Sequence, residues 1–324
     1  MRSFVLAVFV SFSLLAAGTA QAAPVADGIF DLPKLANNLA LGPDGNIWVT
    51  LQTDDPDIAR VTPDGTVTPF TTAQFNSPNG ITAGPDGSLW VTMINHVGKF
   101  SPANPAVATK TFNAGIGGPQ KIIVGQDGNL WTASGGTIFK VTPTTPAGIT
   151  PIPTNISGFD ARETVQGTDG KIWVANTNAS STGIVPVTLD GTIGTQVNTP
   201  NLGSIGGLAA GPGGQLAYTN PNAVPQQMGL VNGGAMAAPF LFPAPADPNG
   251  IVLGQDGAYW VAQSNPSAIG RYTTDGVYSK FADMPENSFP RRIIQGANNT
   301  IWVILERPGQ DFSRIARISG VENP

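Results

Sequence analysis

Apolar and polar positions alternate along most of the chain in short runs, and each run ends at Gly, Pro, Asn or Asp. A period of two residues predicts strands, and no window carries the 3.6-residue period of an amphipathic helix. The runs come in pairs around a tight turn: "LALGPDGNIWVT" at residues 39–50, "ITAGPDGSLWVT" at 81–92 and "IIVGQDGNLWTA" at 122–133. Four further copies follow, "VQGTDGKIWVA", "AAGPGGQLAYT", "VLGQDGAYWVA" and "IQGANNTIWVI". Their leading glycines are Gly42, Gly84, Gly125, Gly167, Gly211, Gly254 and Gly296, spaced 41 to 44 residues apart. A steady period of this length marks a repeat architecture.

Each copy continues past its hairpin into a third apolar run, such as "DIARVTPDG", "TIFKVTP" or "AIGRYTTDG", and then a fourth, such as "TVTPFTT" or "VYSKFAD". Asp64-Gly65, Asp190-Gly191 and Asp275-Gly276 suit tight hairpins, because both residue types tolerate positive φ. Four strands per repeat and seven repeats predict an all-β, seven-bladed propeller. All six Trp fall at one repeat position: Trp48, Trp90, Trp131, Trp173, Trp260 and Trp302; the fifth repeat has Ala217 there, with Tyr218 beside it. The seventh repeat ends after "RIARIS" with no fourth run, whereas "DGIFDLPK" at residues 27–34 precedes the first repeat without a partner. The N-terminal run is therefore expected to supply the outer strand of the last blade, leaving few free sheet edges.

Composition narrows the function classes. Residues 1–22, "MRSFVLAVFVSFSLLAAGTAQA", read as a cleaved signal peptide, with a basic start, an apolar run and Ala-Gln-Ala at the cut. That apolar run is shorter than the roughly 20 residues of a membrane span, and no other long apolar run exists, so residues 23–324 are expected to form one exported domain, secreted or periplasmic, and monomeric. The chain has no cysteine, which excludes thiol catalysis and Cys-ligated metal. Only 11% of residues are charged, with a net charge of −5 and no basic run, which argues against nucleic-acid binding.

A propeller is a scaffold, so function must come from a site. The only histidine, His96, falls in a loop, and no G-x-S-x-G elbow accompanies it, so a Ser-His-Asp triad is not supported. Asp54, Asp55 and Asp57 in "TDDPD" read as a solvated acidic turn, because EF-hand spacing is missing. More informative is the position five residues before each leading glycine, at the start of the strand that lines a propeller's channel. The seven copies carry Asn37, Asn79, Gln120, Arg162, Gly206, Asn249 and Arg291. Six are polar, which suits either strand capping or a polar ring that binds a ligand at the channel mouth. Two arginines there favour a carboxylate or a carbonyl-rich ligand. Asp160 and Glu163 flank Arg162, whereas Arg291 has only Arg292 and Phe289 near it, so Arg291 is expected to be the freer donor.

"PNGITAGPDGSLWVT" with "HVGKFSP", and "PNGIVLGQDGAYWVAQ" with "AIGRYTTDG", resemble the virginiamycin B lyase (streptogramin lyase) family, whose repeat runs roughly P-x-G-I-x-x-G-P-D-G-x-x-W-F-T-E. The resemblance covers all seven repeats. It implies a propeller that opens a cyclic depsipeptide by elimination, using Mg²⁺ and a His/Glu cluster at the channel mouth. This sequence departs from that pattern. The ring holds no histidine, and three residues after each Trp position stand Leu51, Met93, Ser134, Asn176, Asn220, Gln263 and Leu305. Asn and Gln do not serve as general bases near neutral pH. The nearest echo is Asp247, Asn249 and Gln263 in the sixth repeat. Related calcium-dependent lactonases imply a different donor set, to which Asn79, Asn249, Asp160 and Asp247 are partial matches.

Two readings follow. In the first, an exported lyase-like propeller binds a small molecule or peptide through Asn37, Asn79, Gln120, Arg162, Asn176, Asn249, Gln263 and Arg291, without lyase chemistry. In the second, it is a divergent C–O lyase or a divalent-metal-dependent lactone hydrolase, with Asp160 and Asp247 near Mg²⁺ or Ca²⁺. A propeller that binds protein through its outer loops is a third reading.

Overall fold

The computed structural model describes residues 25–52, 55–72, 74–112, 117–199, 205–243 and 245–321. The proposed leader at 1–22 lies outside these residues, as does Asp54. Seven four-stranded antiparallel sheets form the blades of a propeller. The innermost strands of blades one to seven are Ala36–Leu41, Ile81–Ala83, Ile122–Val124, Ala161–Gln166, Gly207–Ala210, Pro248–Leu253 and Phe289–Gln295. Blade seven is completed by Val25–Asp31, which pairs antiparallel with Arg314–Ser319, so the ring closes with the N-terminal strand as the sequence predicts. Arg314 reaches Asp31 at 2.7 Å and Arg317 reaches Asp27 at 2.9 Å across this junction. Phe30 packs 6.3 Å from the Trp302 ring. Among the described residues no helix is long and apolar enough to cross a membrane.

The repeat motif has a packing reason. A Cβ on Gly42 would lie 2.6 Å from the Trp48 indole, and one on Gly84 would lie 2.3 Å from Trp90. The glycine therefore leaves the space that the ring occupies. In five blades the Asp two residues on accepts the indole N–H, as in Trp48 to Asp44 at 3.0 Å and Trp260 to Asp256 at 3.1 Å, whereas Trp302 donates to the Thr300 hydroxyl at 3.0 Å. Each Trp then wedges into the next blade: Trp48 packs against Ile81, Leu89 and Val91 of blade two, and Trp302 against Leu39, Ile47 and Val49 of blade one. Blade five lacks this wedge. Tyr259 of blade six fills the place instead, with its hydroxyl donating to Gln215 at 2.6 Å and occupying the space over Gly211.

Asp256 shows what the clamp contributes. Its side chain is buried, accepts from Trp260 and also from Arg271 Nε at 2.7 Å. Asp256→Ala is expected to destabilise the protein by about 1.5–3 kcal/mol, the range for hydrogen bonds to a charged group. Urea denaturation checks this, and a loss under about 0.5 kcal/mol, the level of an ordinary surface substitution, would mean that the clamp is ornamental.

Candidate functional site

At the face where the innermost strands begin, a cavity of about 470 Å³ opens over the channel. All seven ring positions line it, from Asn37 and Asn79 round to Asn249 and Arg291, with Gly206 at blade five. Gln52, Asp160, Glu163, Thr177, Arg292 and Glu306 share the lining. In a regular strand successive side chains face opposite ways, yet Arg162 and Glu163 both reach the cavity, as do Arg291 and Arg292. The cause is a register shift in the inner strands of blades four and seven, between Ala161 and Thr164 and between Pro290 and Ile293. An irregularity of this kind re-aims side chains at a sheet end.

The charges at the mouth are paired. Arg162 contacts Asp160 at 3.4 Å, and Arg291 meets Glu306 through Nε at 2.9 Å. One step deeper, buried Glu163 of blade four binds Lys121 of blade three at 2.9 Å and also Arg292 of blade seven. Arg292 touches Gln120 Oε1 at 3.4 Å as well. A smaller void of about 60 Å³ lies at this level, lined by these three charged residues and by Ile81, Ile122, Ile251 and Ile293. Burial alone would raise the Glu163 carboxyl, but Lys121 and Arg292 outweigh it and hold Glu163 below its ordinary value. Glu306 behaves oppositely: burial raises it, and Arg291 and Arg292 only partly offset that.

The sequence profile of the virginiamycin B lyase family matches residues 30–159 and 161–322, nearly the whole propeller. The chain belongs to that family. A streptogramin B lyase structure superposes with a TM-score of 0.74 at 20% identity, covering 90% of this chain and 98% of that one. Virginiamycin B lyase from Staphylococcus aureus gives 0.75 at 19%, covering 90% and 99%, and a catalytically inactive form of it with quinupristin gives 0.75 at 18%, covering 89% and 98%. Identities this low establish a shared fold. No curated protein sequence matches the chain.

The side-chain geometry differs from several of the expected site positions. Arg291 is not the freer donor, because Glu306 pairs with it at a shorter distance than Asp160 with Arg162. Glu306 stands four residues after Trp302, one beyond the position inspected in the repeats. Asn176 does not line the mouth. It is buried in blade four, donating to Ser181 O at 2.7 Å and accepting from the Asp160 amide at 3.0 Å. It thereby fixes the backbone that carries Asp160. Gln263 is likewise buried in blade six and accepts from the Tyr278 hydroxyl at 3.2 Å, in space left open by Gly270. Both sit an odd number of residues from their Trp, on the opposite face of the blade.

Asp160 lines the cavity but Asp247 does not; Asp247 takes a 2.5 Å hydrogen bond from Gln226 in the adjoining loop. Nor is the acidic turn wholly solvated, since Asp57 is buried and accepts from the Thr72 amide and hydroxyl at 3.0 and 2.9 Å. His96 starts the third strand of blade two, away from the mouth lining, with Nδ1 2.8 Å from Ile94 O.

The residues present do not fit the divalent ion of the family resemblance. Hard cations need several carboxylate or carbonyl oxygens together. Here Asp160, Glu163 and Glu306 each face a guanidinium, and the described residues assemble no group of three His, Cys, Asp or Glu.

Proposed function

We propose that this lyase-family propeller is an exported protein that binds a polar small molecule or peptide at the channel mouth and does not perform the elimination of the lyases it resembles. The observation that carries the reading is the cavity itself. Six of the seven blades contribute polar or charged side chains to one opening of about 470 Å³, with Gly206 at blade five, a volume in the usual range for ligand sites. Its acid–base groups are carboxylates held by guanidinium partners, while the chain's only histidine lies elsewhere. Export rests on residues 1–22 and predicts a mature N-terminus at Ala23, readable by sequencing the secreted protein.

Two measurements test the site. A thermal-shift screen of polar metabolites and short peptides should yield ligands whose binding is lost in Asn79→Trp. That substitution fills the cavity from a position whose side chain has no protein partner. Hits indifferent to it would move the ligand elsewhere. Incubation with a streptogramin B antibiotic and Mg²⁺ should give no linear product, because loss of a positioned general base removes about 10²- to 10⁴-fold in rate.

Glu306 favours a second reading. It is a carboxylate at the mouth whose value burial has raised, which moves it toward the range of a working base. Linearised product that disappears in Glu306→Gln would establish a divergent C–O lyase in place of a binding protein.

A further inference from the structure

The mouth does not present a patch of one sign. Two ion pairs stand on opposite walls, Arg162–Asp160 on blade four and Arg291–Glu306 on blade seven, three blades apart around the ring. Each pair leaves capacity unused. Arg162 is 48% exposed and touches Asp160 only at 3.4 Å through Nε and Nη2, so Nη1 has no protein acceptor. On the far wall Arg291 reaches Glu306 Oε2 alone, and Oε1 has no protein donor. Burial still raises the Glu306 carboxyl despite Arg291 and Arg292, as expected of an acid short of positive charge.

Between these walls the ring offers amides. Asn37 donates through Nδ2 to Pro78 O at 2.8 Å, and Asn249 through Nδ2 to Ser264 Oγ at 2.9 Å, which leaves each Oδ1 as an acceptor toward the cavity. Asn79 presents a whole carboxamide without a partner. A carboxamide matches a peptide group donor for acceptor. Among the described residues no aromatic side chain lines the cavity, so that lining lacks the stacking faces that favour planar or sugar-ring ligands.

We infer that the mouth takes a short linear peptide with both termini free, its ammonium at Glu306 and its carboxylate at Arg162, with peptide groups read by Asn37, Asn79 and Asn249. This rests on the proposal that the mouth is a ligand site, and it names the ligand class. Each terminal contact is a charge-assisted hydrogen bond, so blocking either terminus should weaken binding about tenfold, equal to about 1.4 kcal/mol.

The test is calorimetry with tri-alanine, its N-acetyl form and its C-terminal amide, on the wild type, Glu306→Gln and Arg162→Gln. The free peptide should bind the wild type about tenfold tighter than either blocked form. Glu306→Gln should erase the difference between free and acetylated peptide and keep that between free and amidated peptide. Arg162→Gln should do the reverse. A merely structural role for either residue would shift all three ligands together, and melting curves of the variants check folding. Equal binding of all three peptides to the wild type overturns the reading of the termini while leaving the mouth a ligand site. No peptide binding, with screen hits still sensitive to Asn79→Trp, overturns the peptide class. If nothing binds in an Asn79→Trp-sensitive way, the ligand site falls as well.

Discussion

A chain that begins at Leu32, without Val25–Asp31, should melt well below the intact protein and self-associate more readily. The deleted strand pairs along the edge of Arg314–Ser319, and Phe30 packs onto the cluster built around Trp302, Leu39 and Val49. Burying one large aromatic is worth about 1.5–3 kcal/mol, and the exposed Arg314–Asp31 and Arg317–Asp27 pairs add no more than about 1 kcal/mol each. Together these come to about 1.5–5 kcal/mol, which at about 2–4 °C per kcal/mol for chains of this order lowers the melting temperature by roughly 3–20 °C. The second effect is kinetic and colloidal. Removing the strand bares the edge of Arg314–Ser319, and such edges template pairing between chains. Calorimetry with light scattering separates the two effects. An unchanged melting temperature and a monodisperse monomer would show that the N-terminal strand decorates the ring without closing it.

The fold was legible because the repeat carries its own packing rule. A glycine that clears space, an Asp that accepts an indole proton and a Trp that wedges into the next blade recur at one spacing, and each is visible as a letter at a fixed offset. The ring residues were legible for the same reason, since a constant offset from the leading glycine places Asn37, Gln120 and Arg162 at equivalent strand starts. Their partners were not. Lys121, Glu163 and Arg292 meet across 42 and 129 residues of chain, from three different blades, and no local period reports such a contact. Glu306 escaped because the family pattern points to the third residue after each Trp, and Glu306 is the fourth after Trp302. Alternation along Ile301–Glu306 puts Glu306 on the same face as Trp302 and Leu305 on the other. Asn176 and Gln263 were misplaced by the same third-residue offset, which falls on the face that packs inside the propeller.

Glu163 is where a single substitution should cost most per atom removed. It is almost fully buried, and it holds Lys121 and Arg292 together across the channel. Glu163→Ala leaves two cations facing each other without their counter-charge, and breaking a buried pair from one side typically costs about 3–5 kcal/mol. Glu163→Gln keeps the shape and loses the charge, so it should cost less but still more than a surface change.

The pH dependence has a definite sign. Glu163 is held below its ordinary value of 4.5 by Lys121 and Arg292, against the opposing effect of burial. A depressed carboxyl contributes stability that is fully present above its unfolded value and is lost as pH falls through the folded one. Wild-type stability should therefore decline below about pH 4.5, and Glu163→Gln should lack that share of the decline. The triple variant Lys121→Met, Glu163→Leu, Arg292→Met separates charge balance from shape. Replacing a whole buried ion cluster with apolar groups is often neutral or stabilising, so the triple variant should recover most of what Glu163→Ala loses, although it strips charge from beneath the mouth. Denaturant titrations of the wild type and these variants at pH 7 and pH 4 decide the matter. If Glu163→Ala unfolds within about 1 kcal/mol of the wild type, the size of a weak surface pair, then water already reaches the cluster, and the channel is open where the charges of the three blades meet.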